Sequence, residues 1–212
     1  MKSLLIAGLS MFTLLTAVEP IWADDSVSSV RANVSDEAPP MRLSDLDMHL
    51  NPQIGVSDFE YSGNTGSGKS KFTGGATVEF GGPARKFETG MLLMQTGADA
   101  TLNNGATETV NVTYLTLPMM AKLRIAQMGA QSWYAKFGAL TALQVGSSDR
   151  NITNGADVML AAGLGGRFKF TKKADFIVEA TYDKGLLESI HTASTTSYNQ
   201  GFVVMAGLSF SI

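Results

Sequence analysis

Read two by two, the closing stretch from Gly201 to Ile212 sorts into two faces. Phe202, Val204, Ala206, Leu208, Phe210 and Ile212 form one face, apolar throughout. Val203, Met205, Gly207, Ser209 and Ser211 form the other, smaller and more polar. Successive side chains of a strand point to opposite faces, so the stretch predicts a β-strand with one strongly apolar surface. Its length matches the about 9–11 residues with which a tilted strand crosses a bilayer.

The same period of two recurs upstream. Strands are predicted over 48–61, 71–80, 87–96, 112–125, 133–145, 157–170 and 174–182, each with its larger apolar residues on one parity. Leu50, Ile54 and Val56 share it in the first, which Pro52 interrupts. Leu115, Leu117, Met119, Leu123 and Ile125 share it in the fourth, against Tyr114, Thr116, Pro118, Met120, Lys122 and Arg124. With the closing strand this makes eight, an even number, as single-chain bacterial barrels have. The expected fold is therefore all-β: an eight-stranded antiparallel up-and-down transmembrane β-barrel over 48–212.

Two further patterns bear on that expectation. Connections after the second, fourth and sixth strands are short (81–84, 126–132, 171–173), whereas those after the odd strands are long and rich in Gly, Asn, Ser and Thr. Outer-membrane barrels alternate periplasmic turns and external loops in this way, which places both chain ends in the periplasm. Aromatic residues also sort by strand end. Phe80, Phe87, Trp133, Phe168, Phe170, Phe176 and Phe210 fall at the short-turn end, and Phe72, Tyr182 and Phe202 at the other. All take the outward parity, as the interfacial girdles of a membrane barrel do.

The first residues set the compartment. A basic start, Met1-Lys2-Ser3, precedes an apolar run from Leu4 to Val18, and Trp22-Ala23 leads into Asp24-Asp25. This is expected to be a secretory signal peptide over 1–23, the run being shorter than the ~20 residues of a spanning helix. The polar stretch 24–47, with Pro39-Pro40, is expected to be a flexible periplasmic segment. There is no cysteine among the 212 residues, which removes disulfides, thiol nucleophiles and Cys-metal sites. A formal net charge of −3 argues against nucleic acid as a partner.

The charges collect on the inward parity: Glu79, Glu88, Lys122, Arg124, Lys136, Arg167, Lys169, Asp175, Glu179 and Asp183. An eight-stranded barrel is just wide enough for side chains to fill it, and charges there must pair. A salt-bridge network plugging the lumen is favoured over an ion or proton path. Gly63-Asn64-Thr65-Gly66-Ser67-Gly68-Lys69-Ser70 fits the P-loop pattern, but the next residues, Lys71 to Gly75, alternate like a strand instead of opening a helix. The stretch is read as a hairpin loop, with no nucleotide bound. The two histidines are His49, near the start of the first strand, and His191, in the last long loop beside Glu188 and Ser189. Neither defines a triad from spacing alone, and no spacing suggests a metal site. No catalytic residue and no cofactor are assigned.

Tyr114-Leu115-Thr116-Leu117-Pro118-Met119, Trp133-Tyr134-Ala135-Lys136-Phe137-Gly138 and Val178-Glu179-Ala180-Thr181-Tyr182 resemble strands of the PorT-like outer-membrane β-barrel family. The resemblance covers about 87–212. It departs at Thr181, where an Arg is common, and at Ile212, where such chains often end in Phe. It implies a small barrel like OmpX or OmpA, whose members are seldom enzymes. The expectation is a non-enzymatic integral outer-membrane protein with a structural or surface-interaction role. Its expected partners are outer-membrane lipid and lipopolysaccharide, the assembly machinery, and an extracellular ligand held by the long loops. The alternatives are a narrow porin or transport-related barrel, a lipid-modifying barrel enzyme, and a soluble secreted barrel.

Overall fold

The computed structural model describes residues 47–61, 68–101, 107–147, 155–187, 190–192 and 195–212. The expected signal peptide and most of the expected N-terminal segment (1–46) lie outside them, as does most of the P-loop-like stretch. Lys69 and Ser70, which would be the phosphate-binding pair of a P-loop, sit on a strand.

The strands are β1 (Asp47–Tyr61), β2 (Lys69–Gly81), β3 (Arg85–Thr101), β4 (Thr107–Met128), β5 (Gln131–Ser147), β6 (Ala156–Lys169), β7 (Ala174–Gly185), β8 (Ile190–Thr192), β9 (Thr195–Ser197) and β10 (Asn199–Ser211). Eight close a barrel in the order β1-β10-β7-β6-β5-β4-β3-β2, and every neighbouring pair is antiparallel. The seam joins β1 to β10, with Leu50 opposite Phe210 and Asp58 opposite Phe202. Pro52 is tolerated in β1 because a proline lacks only the donor N–H; its side chain faces outward.

The parities come from burial. On β1, Asn51, Gln53, Ser57 and Phe59 are buried while Leu50, Ile54 and Val56 are exposed. Met91 and Leu93 on β3, Leu160 and Leu164 on β6, and Phe202 and Val204 on β10 continue the exposed apolar belt. So wide an apolar surface would be a liability in water; it is the contact surface of a protein whose solvent is lipid.

Three boundaries differ from the sequence expectation. The β4–β5 connection is only Gly129-Ala130, not 126–132. Gly129 takes a left-handed φ of 59°, which closes a tight turn, and a bulge at Arg124/Ala126 lets pairing run on to Met128. The loop expected after 96 is largely strand, because 97–101 pair with 107–111. The last long loop carries a small separate hairpin, β8–β9.

Closure depends on glycine at the seam. A Cβ on Gly55 would lie 2.0 Å from the Val204 carbonyl oxygen, and one on Gly207 would lie 2.2 Å from that of Pro52. Both face inward, where a small barrel curves most sharply, so the two strands approach only if neither carries a side chain.

Candidate functional site

The lumen is stratified. Its short-turn half holds the charges and its long-loop half an apolar plug, with an open mouth below the charges.

The charged layer centres on Lys122 of β4. Its ammonium meets Glu79 Oε1 of β2 at 2.6 Å, Glu179 Oε1 of β7 at 2.5 Å, and Glu88 Oε2 of β3. An ammonium has three donors, so three carboxylates fill its capacity. Lys136 of β5 meets Glu88 Oε1 at 3.0 Å and Glu179 Oε2 at 2.6 Å. Arg167 of β6 donates from Nη2 to Glu79 Oε2 at 2.5 Å. Tyr134 donates its hydroxyl to Glu179 Oε1 at 2.7 Å, and its ring centroid lies 4.8 Å from Lys122 Nζ. Three buried carboxylates thus face three cations drawn from six strands. The carboxylate oxygens of Glu79, Glu88 and Glu179 converge within 4.8 Å, as a metal ligand set would, but the Lys122 ammonium stands at their focus. The arrangement is an ammonium cage.

The other predicted charges are placed differently. Asp175 reaches the layer only at its edge, 3.9 Å from Arg167 Nη1. Asp183 is buried on β7 but forms no ion pair among the described residues. Arg124 and Lys169 leave the network altogether. Both are exposed at the mouth, and Arg124 donates to Gln127 Oε1 at 2.7 Å. They sit at strand ends, where water solvates the charge and nothing forces pairing.

Three partners at the mouth were missed. His49 Nε2 meets Asp47 Oδ1 at 3.0 Å, and Lys86 Nζ meets Asp47 Oδ2 at 2.8 Å. His49 Nδ1 lies 3.3 Å from Arg167 Nη1 and 3.2 Å from Ser209 Oγ. The parity rule carried the signal for both His49 and Lys86, since Leu50 and Phe87 beside them face outward.

Parity places Tyr114, Met120, Val203 and Met205 inward but does not show the plug they build. Phe59, Leu92, Met94, Val112, Tyr114, Met120, Leu140, Ala142, Met159, Ala161, Val203 and Met205 form one contiguous buried cluster. At its upper edge Asn199 donates to Asp157 Oδ2 at 3.2 Å and to the Tyr114 hydroxyl at 3.4 Å.

The aromatics expected at the rims lie in pairs on the outer wall. Phe80 and Phe87 are 5.2 Å apart between centroids, Trp133 and Phe168 5.6 Å, and Phe168 and Phe176 6.4 Å. Tyr182 and Phe202 pair at 5.1 Å across β7 and β10 at the long-loop end. Phe210 is exposed on β10; Phe170 is exposed just past the end of β6, its N–H bonded to the Ala174 carbonyl at 3.2 Å. Outside the belt, on the β3 extension, Asp99 accepts from Lys69 at 2.8 Å and Thr109 at 2.6 Å, and these hydrogen bonds hold its carboxyl below the usual carboxylate range.

A closed antiparallel barrel with an apolar belt, aromatic rims, short turns at one end and long loops at the other defines a small outer-membrane β-barrel. The chain belongs to the outer membrane protein beta-barrel domain family, whose model matches residues 31–210. It is a protein of the bacterial outer membrane, and its short-turn end is the periplasmic one. Among solved structures it is similar to Neisserial surface protein A, with 11% identity, a TM-score of 0.51, and cover of 78% of this chain and 97% of that one. Weaker likenesses reach Ail of Yersinia pestis (16% identity, TM-score 0.42, 77% and 99% covered) and outer membrane protein W of E. coli (9%, 0.49, 78% and 97%). No curated protein matches the chain.

Proposed function

We propose that the protein works without catalysis, as a sealed outer-membrane barrel that supports the envelope and presents its long loops to the exterior. One observation carries this reading: the lumen is filled by two stacked seals, the ammonium cage and the methionine-rich plug. A continuous water path would have to cross both. On this reading the partners are outer-membrane lipid and lipopolysaccharide at the belt, the assembly machinery, and an extracellular ligand at the loops. A narrow porin is disfavoured because its water path would have to thread both the cage and the plug.

The enzyme alternative has one place to stand. Asp47, His49 and Ser209 lie in hydrogen-bond sequence, at 3.0 and 3.2 Å. Ser209 is 1% exposed, however, so a substrate carbonyl has no approach to its oxygen. With Nε2–H assigned to Asp47, the Nδ1 lone pair is shared with the Arg167 guanidinium, which can only donate. A base already engaged by a cation is a poor proton acceptor for a serine.

Complementation tests the reading. Cells lacking the protein should become more sensitive to detergent, and a chain carrying both Ser209→Ala and His191→Ala should restore resistance fully. Restoration by the parent but not by this folded double variant would show that the chain is an enzyme.

A further inference from the structure

The mouth below the cage is a cavity of about 350 Å³, within the usual range of small-molecule sites, and it opens to the periplasm. Its cations are unequally matched. Lys86 is held by Asp47 and Arg167 by Glu79, so each is locally neutralised. Arg124 and Lys169 form no ion pair among the described residues: Arg124 has the neutral amide of Gln127, and Lys169 stands opposite Asp175 in the β6–β7 register without pairing with it. The two lie on either side of the first residues of β5. Lys169 N–H bonds the Ala130 carbonyl at 3.1 Å, Gln127 pairs with Ser132, and both side chains line the cavity with Ser132 between them. With the cage neutral in itself, the remaining charges that line the cavity are Lys86, Arg124 and Lys169 against Asp47 and Asp175, an excess of one cation. The outward field of the mouth is thus positive, and a concave wall focuses it.

We infer that the periplasmic mouth is a binding site for a phosphate group, held between Arg124 and Lys169. The guanidinium offers a planar fork that matches a phosphate bidentately, the ammonium supplies a second point charge, and the Ser132 hydroxyl between them is a neutral donor. The cage roofs the cavity, so the ligand enters and leaves on the periplasmic side. The phosphate comes either from a soluble periplasmic molecule or from a phospholipid headgroup of the inner leaflet. The site does not depend on whether the lumen conducts.

The test uses the full barrel, folded in zwitterionic detergent, and in phosphatidylcholine nanodiscs with or without phosphatidylglycerol. Pyrophosphate is the soluble probe, titrated by calorimetry and by amide shifts at Gly129 and Ser132. Saturable binding is expected, weakened about tenfold by Arg124→Gln or Lys169→Gln and abolished by the two together. Both residues are exposed and outside the cage, so heat-modifiable gel mobility should stay unchanged. Lys172→Gln with Lys173→Gln, in the neighbouring turn, controls for charge in general and should leave binding intact. If the shifts instead need phosphatidylglycerol and vanish in the Arg124/Lys169 double variant, the source is the lipid headgroup. No saturable response in either arm, or one that the double variant leaves unchanged, overturns the site.

Discussion

The two halves of the lumen are packed in opposite ways. In the periplasmic half each buried charge is satisfied by named partners, Lys122 by Glu79, Glu88 and Glu179, and Lys136 by Glu88 and Glu179. In the external half, Met94, Met120, Met159 and Met205 belong to one buried cluster with Leu92, Leu140 and Val203. Buried ion pairs contribute little net stability when intact, yet removing one partner leaves a charge stranded. Methionine packing is adaptable, and each contact is small. The cage should therefore be brittle to single changes and the plug forgiving.

Lys122→Met breaks the comparison hardest. It leaves Glu79, Glu88 and Glu179 converging on an empty centre, with an expected loss of about 3–5 kcal/mol. Urea unfolding of the barrel in lipid, followed by tryptophan fluorescence, reads this; a loss below about 1.5 kcal/mol, the most expected of a volume-conserving plug change, would show that the cage is not the brittle half. Met120→Ala, one residue-pair above the cage, should cost about 2–5 kcal/mol, toward the lower end because neighbouring methionines can move into the space. Tyr134→Phe removes one hydrogen bond to Glu179 but keeps the ring against Lys122, so about 1 kcal/mol is expected. Met159→Leu, a volume-conserving change in the plug, should cost less than about 1.5 kcal/mol in the same titration. If Met159→Leu costs as much as Lys122→Met, the plug is as specific as the cage and the contrast fails.

The same contrast explains what the sequence made legible. The cage members stood out because a charge between two apolar neighbours, such as Glu79 between Val78 and Phe80, marks its parity without ambiguity. The plug did not, because period-two contrast disappears where both faces are apolar. Met91-Leu92-Leu93-Met94, Met119-Met120 and Val203-Val204-Met205 put similar residues on lipid and lumen sides. Nothing in residue type separates Met91 from Met94; only the register does. Arg124 and Lys169 show the opposite failure. Parity placed them inward, but strand ends give a long side chain access to water, and the β4 bulge shifts the chain at Arg124. The direction of His49 is legible only through its neighbour: Leu50 faces outward, so His49 faces the lumen. Pairing of 97–101 with 107–111 was hidden because Gly, Asn and Thr read as loop residues wherever hydrogen bonds to a partner strand are ignored.

The central claim is that cage and plug together close the lumen, and conductance across a planar bilayer tests it most directly. The purified barrel should insert without stable openings, and Met120→Ala should also stay silent because the cage below it is intact. Stable, ohmic openings of the parent protein, reproduced across preparations whose heat-modifiable mobility shows a folded barrel, would contradict the account.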